Sequence, residues 1–266
     1  DLVIAVDQGL SGAAFRDRRI VNVTDVTKDD RYVLTAPDVR SEIALPLVTG
    51  EAPVGVLLVS STRTAAFGPD DEHVLTLFAD ELSAAIANAR AYDAQREAAL
   101  RDDRTGLYNH RYFREALERE LARAERHGAA LSLLFIDLDD LKGINDRYGH
   151  EAGDAVIQRV AKLMTRDRRR TDVAARIGGE EFALLLPETP QADALAIAER
   201  LRADAALDAI DVSGERIAFT ISVGVATFPD SARDASSLRR EADMALYAAK
   251  RAGRDRVAAA PRRSRG

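Results

Sequence analysis

Cysteine and tryptophan are both absent from this chain. Without cysteine there is no disulfide, no thiolate zinc site, no iron–sulfur cluster and no thioether-linked chromophore. That fits a reducing compartment, and a cytoplasmic location is the expectation. No run approaches the roughly 18 apolar residues that a membrane-spanning helix needs, so no membrane segment is expected. No signal peptide is visible; the chain opens at Asp1 rather than Met, which reads as a fragment or a processed chain. An excess of basic charge is missing too. The net charge is −6, which argues against a dedicated nucleic-acid surface. What is present is 266 residues, 46% hydrophobic and 31% charged. That is enough for a sizeable core in one large domain or two modest ones, and it does not point to disorder.

Three stretches differ in pattern. Up to about residue 70 the chain reads as strand-rich. Ser41–Val48 and Pro53–Val59 flank Thr49-Gly50-Glu51-Ala52, which predicts a β-hairpin. Phe67-Gly68-Pro69-Asp70-Asp71-Glu72 ends the strands and opens a helix, with Asp70 as the expected N-cap. One long helix is expected over 71–103. Leu75, Phe78, Leu82, Ala85, Ala89 and Tyr92 recur at spacings of 3, 4, 3, 4 and 3, a heptad-like seam. Such a helix either packs on its own domain or pairs two subunits. Strands and helices then alternate: a buried strand over Leu131–Ile136, helices over 150–167, 191–207 and 236–252, and a strand from Ile217 to Thr227. The order suggests a βαββαβ unit of the α/β (α+β) class, an antiparallel sheet with helices on one face. The end from Ala258 is small, polar and basic and reads as a disordered tail.

The chemistry concentrates in a few places. Gly178-Gly179-Glu180-Glu181-Phe182 lies between two apolar runs. It predicts a tight hairpin whose glycines supply positive φ. Two adjacent carboxylates at its tip repel each other or bind a cation. Asp137 ends the apolar strand, where a carboxylate is costly unless paired or bound to metal. A strand-end Asp opposite hairpin carboxylates is how two-metal phosphoryl-transfer sites are built. Asp139 and Asp140 read as the start of a helix, with Asn145 after it. Asn145 and Asp154 are each ordinary turn or cap residues alone, yet together they can serve guanine, which donates from N1 and N2 and accepts at N3 and O6. Lys250 and Arg254 stand four apart at a helix end, complementing its dipole or clamping phosphate. Arg166-Asp167-Arg168-Arg169-Arg170-Thr171-Asp172 is either a solvated helix end or an anion site.

In these residues the stretch of about 100–258 resembles the GGDEF family of diguanylate cyclases. Asp102-Asp103-Arg104-Thr105-Gly106-Leu107-Tyr108-Asn109-His110-Arg111 is similar to the family's opening motif D-x-L-T-G-L-x-N-R-R, with Arg104 in place of Leu and His110 in place of the first closing Arg. The hairpin is the GGEEF version of the signature, and Leu141 stands where the family often has Phe. The first 90 or so residues resemble the later part of a GAF domain, without its opening helix and first strands. The evidence there is Asp25-Val26, the Ile43–Leu47 and Val54–Val59 hairpin, and the Phe67–Glu72 segment.

The resemblance implies a domain plan: a partial GAF-like sensory part at 1–88, a closing and linking helix at 71–103, a cyclase domain with a palm-like core at 104–258, and a tail at 259–266. It implies that two GTP become cyclic di-GMP and two pyrophosphates, one GTP on each subunit of an antiparallel homodimer. Asp137, Glu180 and the Leu138 carbonyl would ligate Mg²⁺, two ions per GTP site with Mn²⁺ able to substitute, and Glu181 would assist the second ion. Glu180 would help deprotonate the attacking 3′-hydroxyl. Asn145 and Asp154 would bind guanine, and Lys250, Arg254 and Lys142 the phosphates. Arg169 and Asp172 match an RxxD product-inhibition site, with Arg200 as a further contact. A small ligand of unknown identity is implied for the GAF-like part. The competing readings are a non-catalytic cyclic di-GMP receptor and a dimerising scaffold.

Overall fold

The computed structural model describes residues 8–262 except residues 35, 51 and 213. Glu51 of the expected hairpin loop and residues 263–266 of the expected tail therefore lie outside the described residues. The chain divides into two compact units, one ending at Glu97 and one starting at Ala98.

The first unit is a three-stranded antiparallel sheet with helices. A helix α1 (Gly9–Asp17) precedes β1 (Val21–Val23), where the sequence advertises only strands. The hairpin β2 (Ser41–Thr49) and β3 (Ala52–Ser61) pairs as expected, and β1 lies on the outer edge of β2. The long helix α2 spans Pro69–Ala98. Its first residue is Pro69, whose missing N–H costs nothing there, so Asp70 lies inside the first turn rather than capping it. Asp71 accepts the Gly68 N–H at 2.9 Å instead. Ala79 and Ser83 are buried, and Leu75 and Ile86 half-buried, against Ile43, Leu45 and Leu47 of the sheet. The heptad-like seam is offset from this face. Phe78, Leu82 and Tyr92 are 60%, 41% and 68% exposed, so α2 carries a second apolar face that its own unit does not cover.

The second unit is built on a five-stranded sheet in the order β10-β9-β4-β6-β5, of β4 (Leu131–Leu138), β5 (Val173–Arg176), β6 (Glu181–Pro187), β9 (Ile221–Phe228) and β10 (Val257–Ala259). Every residue of β4 is buried. Leu134, Ile136 and Leu138 pack in a core with α5 (His150–Arg166) and α6 (Gln191–Leu207). Leu131, Leu133 and Phe135 pack in another with α3 (His110–His127) and α7 (Ala235–Arg251). Helices thus cover both faces, not one, and a continuous apolar strand is the signal of that. Two other expectations are corrected. Ile217–Thr227 is not one strand: β8 (Glu215–Ala218) pairs with β7 (Ala209–Val212) in a separate small sheet, and β9 begins at Ile221. The chain end is ordered further than composition suggests. β10 pairs in parallel with β9, and Ala260 is buried with its N–H on the Val225 carbonyl.

Gly224 in β9 is where α7 lies closest to the sheet. A Cβ there would stand 2.2 Å from both the Ala242 carbonyl oxygen and the Leu246 nitrogen. Backbone cannot step aside as a flexible side chain can. Gly224→Ala is therefore expected to destabilise this unit by about 3 kcal/mol. A fall in the denaturant midpoint measures it, and an unchanged midpoint would show that α7 does not sit on β9 this way.

Candidate active site

Asp137 reaches the site from the second-last position of β4. Its side chain is 3% exposed and pairs with Lys250 Nζ at 2.7 Å. Burial pushes its pKa up to about 6, the Glu180 and Glu181 charges add to that, and Lys250 opposes it. An anion disfavoured by its own fold is a strong acceptor for a cation. Glu181 is the direct register partner of Asp137 across β4 and β6, and the Leu138 N–H donates to the Glu180 carbonyl at 3.1 Å. The hairpin residues therefore lie beside the end of β4, as the sequence implies. Among the described residues no three His, Asp or Glu side chains are already gathered as a metal cage. The donors that do lie side by side, Asp137 and Glu181, are carboxylate oxygens, the kind of donor a hard divalent cation takes.

The hairpin glycines work differently from expectation. Neither Gly178 nor Gly179 has positive φ. Gly178 is needed for space: a Cβ would sit 2.5 Å from Glu181 Oε2. A Cβ on Gly179 would meet nothing within 4 Å, so one side of the tip is open. The turn is held instead by Arg176, a residue the motif reading passes over. Its guanidinium donates to the Gly178 carbonyl at 3.2 Å, the Gly179 carbonyl at 2.7 Å and Asp102 at 3.2 Å. Burial works against the Asp102 carboxylate, but the Thr105 and Arg176 hydrogen bonds outweigh it and lower its pKa. The loop that carries Asp102 is thereby fastened to the hairpin.

Asp139 is corrected from helix starter to buried anchor. It accepts from Thr220 Oγ1 at 2.8 Å, Ser222 Oγ at 2.7 Å and the Asp255 N–H at 3.1 Å. It joins the ends of β4 and β9 to the turn after α7. Asp140 does begin α4 (Leu141–Tyr148), in a left-handed conformation. Asn145 lies within α4 rather than after it. A Cβ on Gly153 in α5 would fall 1.9 Å from Asn145 Oδ1, so that glycine makes room for the amide. Asp154 follows directly and pairs with Arg104 Nη1. Lys142 is exposed in the first turn of α4. Arg254 is also corrected. α7 ends at Arg251, and Arg254 stands beyond it with φ 60°, its N–H on the Ala249 carbonyl. It and Lys250 are not on one helix face.

Residues 99–256 match the family model described as the diguanylate cyclase GGDEF domain, 59% of the chain by span. The chain belongs to the GGDEF family. Residues 2–87 match the GAF domain model. "Diguanylate cyclase DgcP" of Pseudomonas aeruginosa is 44% identical over 163 residues, 61% of this chain and 24% of that protein. "Diguanylate cyclase A" of Treponema denticola is 34% identical over 235 residues, 86% of this chain and 62% of that protein. The chain thus spans less than two thirds of either relative. The crystal structure of the GGDEF domain of DgcB from Caulobacter crescentus, solved with c-di-GMP, matches with a TM-score of 0.59 and 37% identity, over 61% of this chain and 93% of that one.

The GGDEF unit also has a cleft of about 250 Å³ whose lining includes Arg168, Arg169, Asp172 and Arg200. The sequence names three of these four. Asp172 is 9% exposed; its Oδ2 accepts the Arg169 N–H at 2.8 Å, while its Oδ1 is buried with no hydrogen-bond partner among the described residues. Burial pushes its pKa up, against the Arg169 N–H and the Arg169 and Arg168 charges. A buried acceptor left unpaired in a cleft rimmed by guanidinium groups suits a ligand that has both phosphates and N–H donors.

Proposed function

We propose that this GGDEF chain condenses two GTP into cyclic di-GMP and two pyrophosphates, as a Mg²⁺-dependent homodimer inhibited by its product. The observation that carries the reading is Asp137: a buried, raised-pKa carboxylate at a strand end, register-paired with Glu181 and countered by a single lysine. Asp137, Glu180, Glu181 and the Leu138 carbonyl are the ligands for Mg²⁺, two ions per site with Mn²⁺ able to substitute. When bound, the metal supplies Lewis-acid polarisation of the α-phosphate and a lowered pKa of the 3′-hydroxyl. Glu180 takes the hydroxyl proton. Lys250, Arg254 and Lys142 hold the phosphates, and Lys250 exchanges Asp137 for phosphate as substrate arrives. Asn145 and Asp154 read guanine.

One subunit offers half of this site. The uncovered face of α2 at Phe78, Leu82 and Tyr92 supports pairing of two chains through that helix. The GAF-like part at 1–88, with an unidentified small ligand, would act on the cyclase domain at 104–258 through the 71–103 segment. Cyclic di-GMP binds Arg169, Asp172 and Arg200 and restrains turnover, a reading supported by the orphaned Asp172 Oδ1. Progress curves with GTP and Mg²⁺ test this. Wild type should slow as product accumulates, and Arg169→Ala should reach a several-fold higher yield. Equal inhibition of both proteins by added cyclic di-GMP would remove the feedback assignment. Turnover undiminished by a chelator would remove the metal.

A further inference from the structure

The guanine reading leaves one atom of the base unserved, and the structure supplies a donor for it. If Asp154 accepts from N1–H and N2–H₂, and Asn145 meets N2 and N3, then O6 needs a donor beside Asp154 on the N1 side. Arg104 stands beside Asp154. It donates Nη1–H to Asp154 Oδ1, and among the described residues that is its one hydrogen bond to the protein and the one hydrogen bond that the Asp154 carboxylate accepts. A guanidinium carries five N–H groups in one plane, so several remain to turn toward a base edge.

We propose that Arg104 is a specificity-determining residue: anchored on Asp154, it donates to O6 of the guanine. The proposal rests on Asp154 reading guanine. Adenine places an amino group at that position and would set N–H against N–H, so the pair favours GTP and disfavours ATP. Arg104 stands where the family motif has leucine, which offers packing and no donor. The side chains of Arg104 and Asp154 are 59% and 44% exposed, so the ion pair adds little to stability and remains free to adjust. The backbone under Arg104 is fixed. Asp102 accepts the Thr105 N–H at 3.0 Å, the Gly106 N–H bonds the Asp102 carbonyl at 2.8 Å with φ 69° at Gly106, and Leu107 is buried. Through Asp102 and Arg176 the same loop is tied to the hairpin, so base reader and metal site share one support.

The test measures dissociation constants of GTP, 6-thio-GTP and ITP for the whole chain, in chelator so that no turnover intervenes. The thio analogue keeps N1–H and N2–H₂ but weakens the acceptor at position 6; ITP keeps O6 and lacks the N2 amine. Arg104→Leu should raise the GTP constant roughly 10-fold and bring the GTP and 6-thio-GTP constants together, leaving the ITP penalty in place. Arg104→Lys, which keeps a donor, should recover part of the loss. An unchanged or lower GTP constant in Arg104→Leu would overturn the proposal, since Arg104 would then merely compete with guanine for Asp154. Asp154→Ala separates the two levels. If it weakens GTP binding while Arg104→Leu does not, only Arg104 falls; if neither does, or wild type binds GTP, 6-thio-GTP and ITP alike, the guanine reading falls with it.

Discussion

Asp137→Asn is expected to cut cyclic di-GMP formation by about 1000-fold or more while leaving the protein folded. Removing a metal-binding carboxylate forfeits several kcal/mol of charge stabilisation in the transition state, and each 1.36 kcal/mol is tenfold in rate. Stability should not follow activity. Burial already disfavours the ionised form of Asp137 in the folded chain, and Asn is a neutral group of the same size. Lys250 loses its partner but is 33% exposed, so water can replace it. The thermal midpoint should stay within a few degrees of wild type or rise. Loss of activity together with loss of the folded state would assign Asp137 a structural role instead.

Gly153→Ala is expected to lower kcat/KM for GTP about 100-fold, chiefly through KM. The added methyl needs the space held by Asn145 Oδ1, 1.9 Å away. Asn145 is half-buried and can swing out, so the base loses a pairing group and the reading pocket is partly filled. Alanine is the better helix former by roughly 1 kcal/mol, which offsets the crowding. The outcome is read as wild-type-like unfolding with weakened GTP use. Unchanged kinetics would mean that Asn145 does not face the base.

Much of the site was legible because its groups lie in short motifs. Asp137, Glu180 and Glu181 stand at a strand end and a hairpin, and the structure brings them together across β4 and β6. Asn145 and Asp154 fall on consecutive helices, α4 and α5. What escaped depends on partners far along the chain. Asp139 looks like a helix start until Thr220 and Ser222, more than 80 residues on, are seen to hold it. The same contact explains the broken strand. Thr220 donates its hydroxyl to the Asp139 carboxylate and accepts the Asp139 N–H at its carbonyl, and β9 starts only after it. Arg254 reads as helical from spacing alone, but its left-handed backbone follows from the turn that Asp139 pins at Asp255. The sheet was expected to be covered on one face only, although Leu131–Ile136 is apolar at every position but Ser132, the pattern of a strand buried on both faces. Arg104 was visible only as a departure from a motif, and its meaning appeared when Asp154 proved to be its partner.

The most direct measurement incubates the purified chain with GTP and Mg²⁺ and resolves the nucleotides by chromatography, wild type beside Glu180→Ala. Wild type should yield cyclic di-GMP with two pyrophosphates for each molecule formed, and the variant none above background. No cyclic di-GMP from a dimeric wild-type sample, or equal yields from the two proteins, would contradict catalysis at this hairpin.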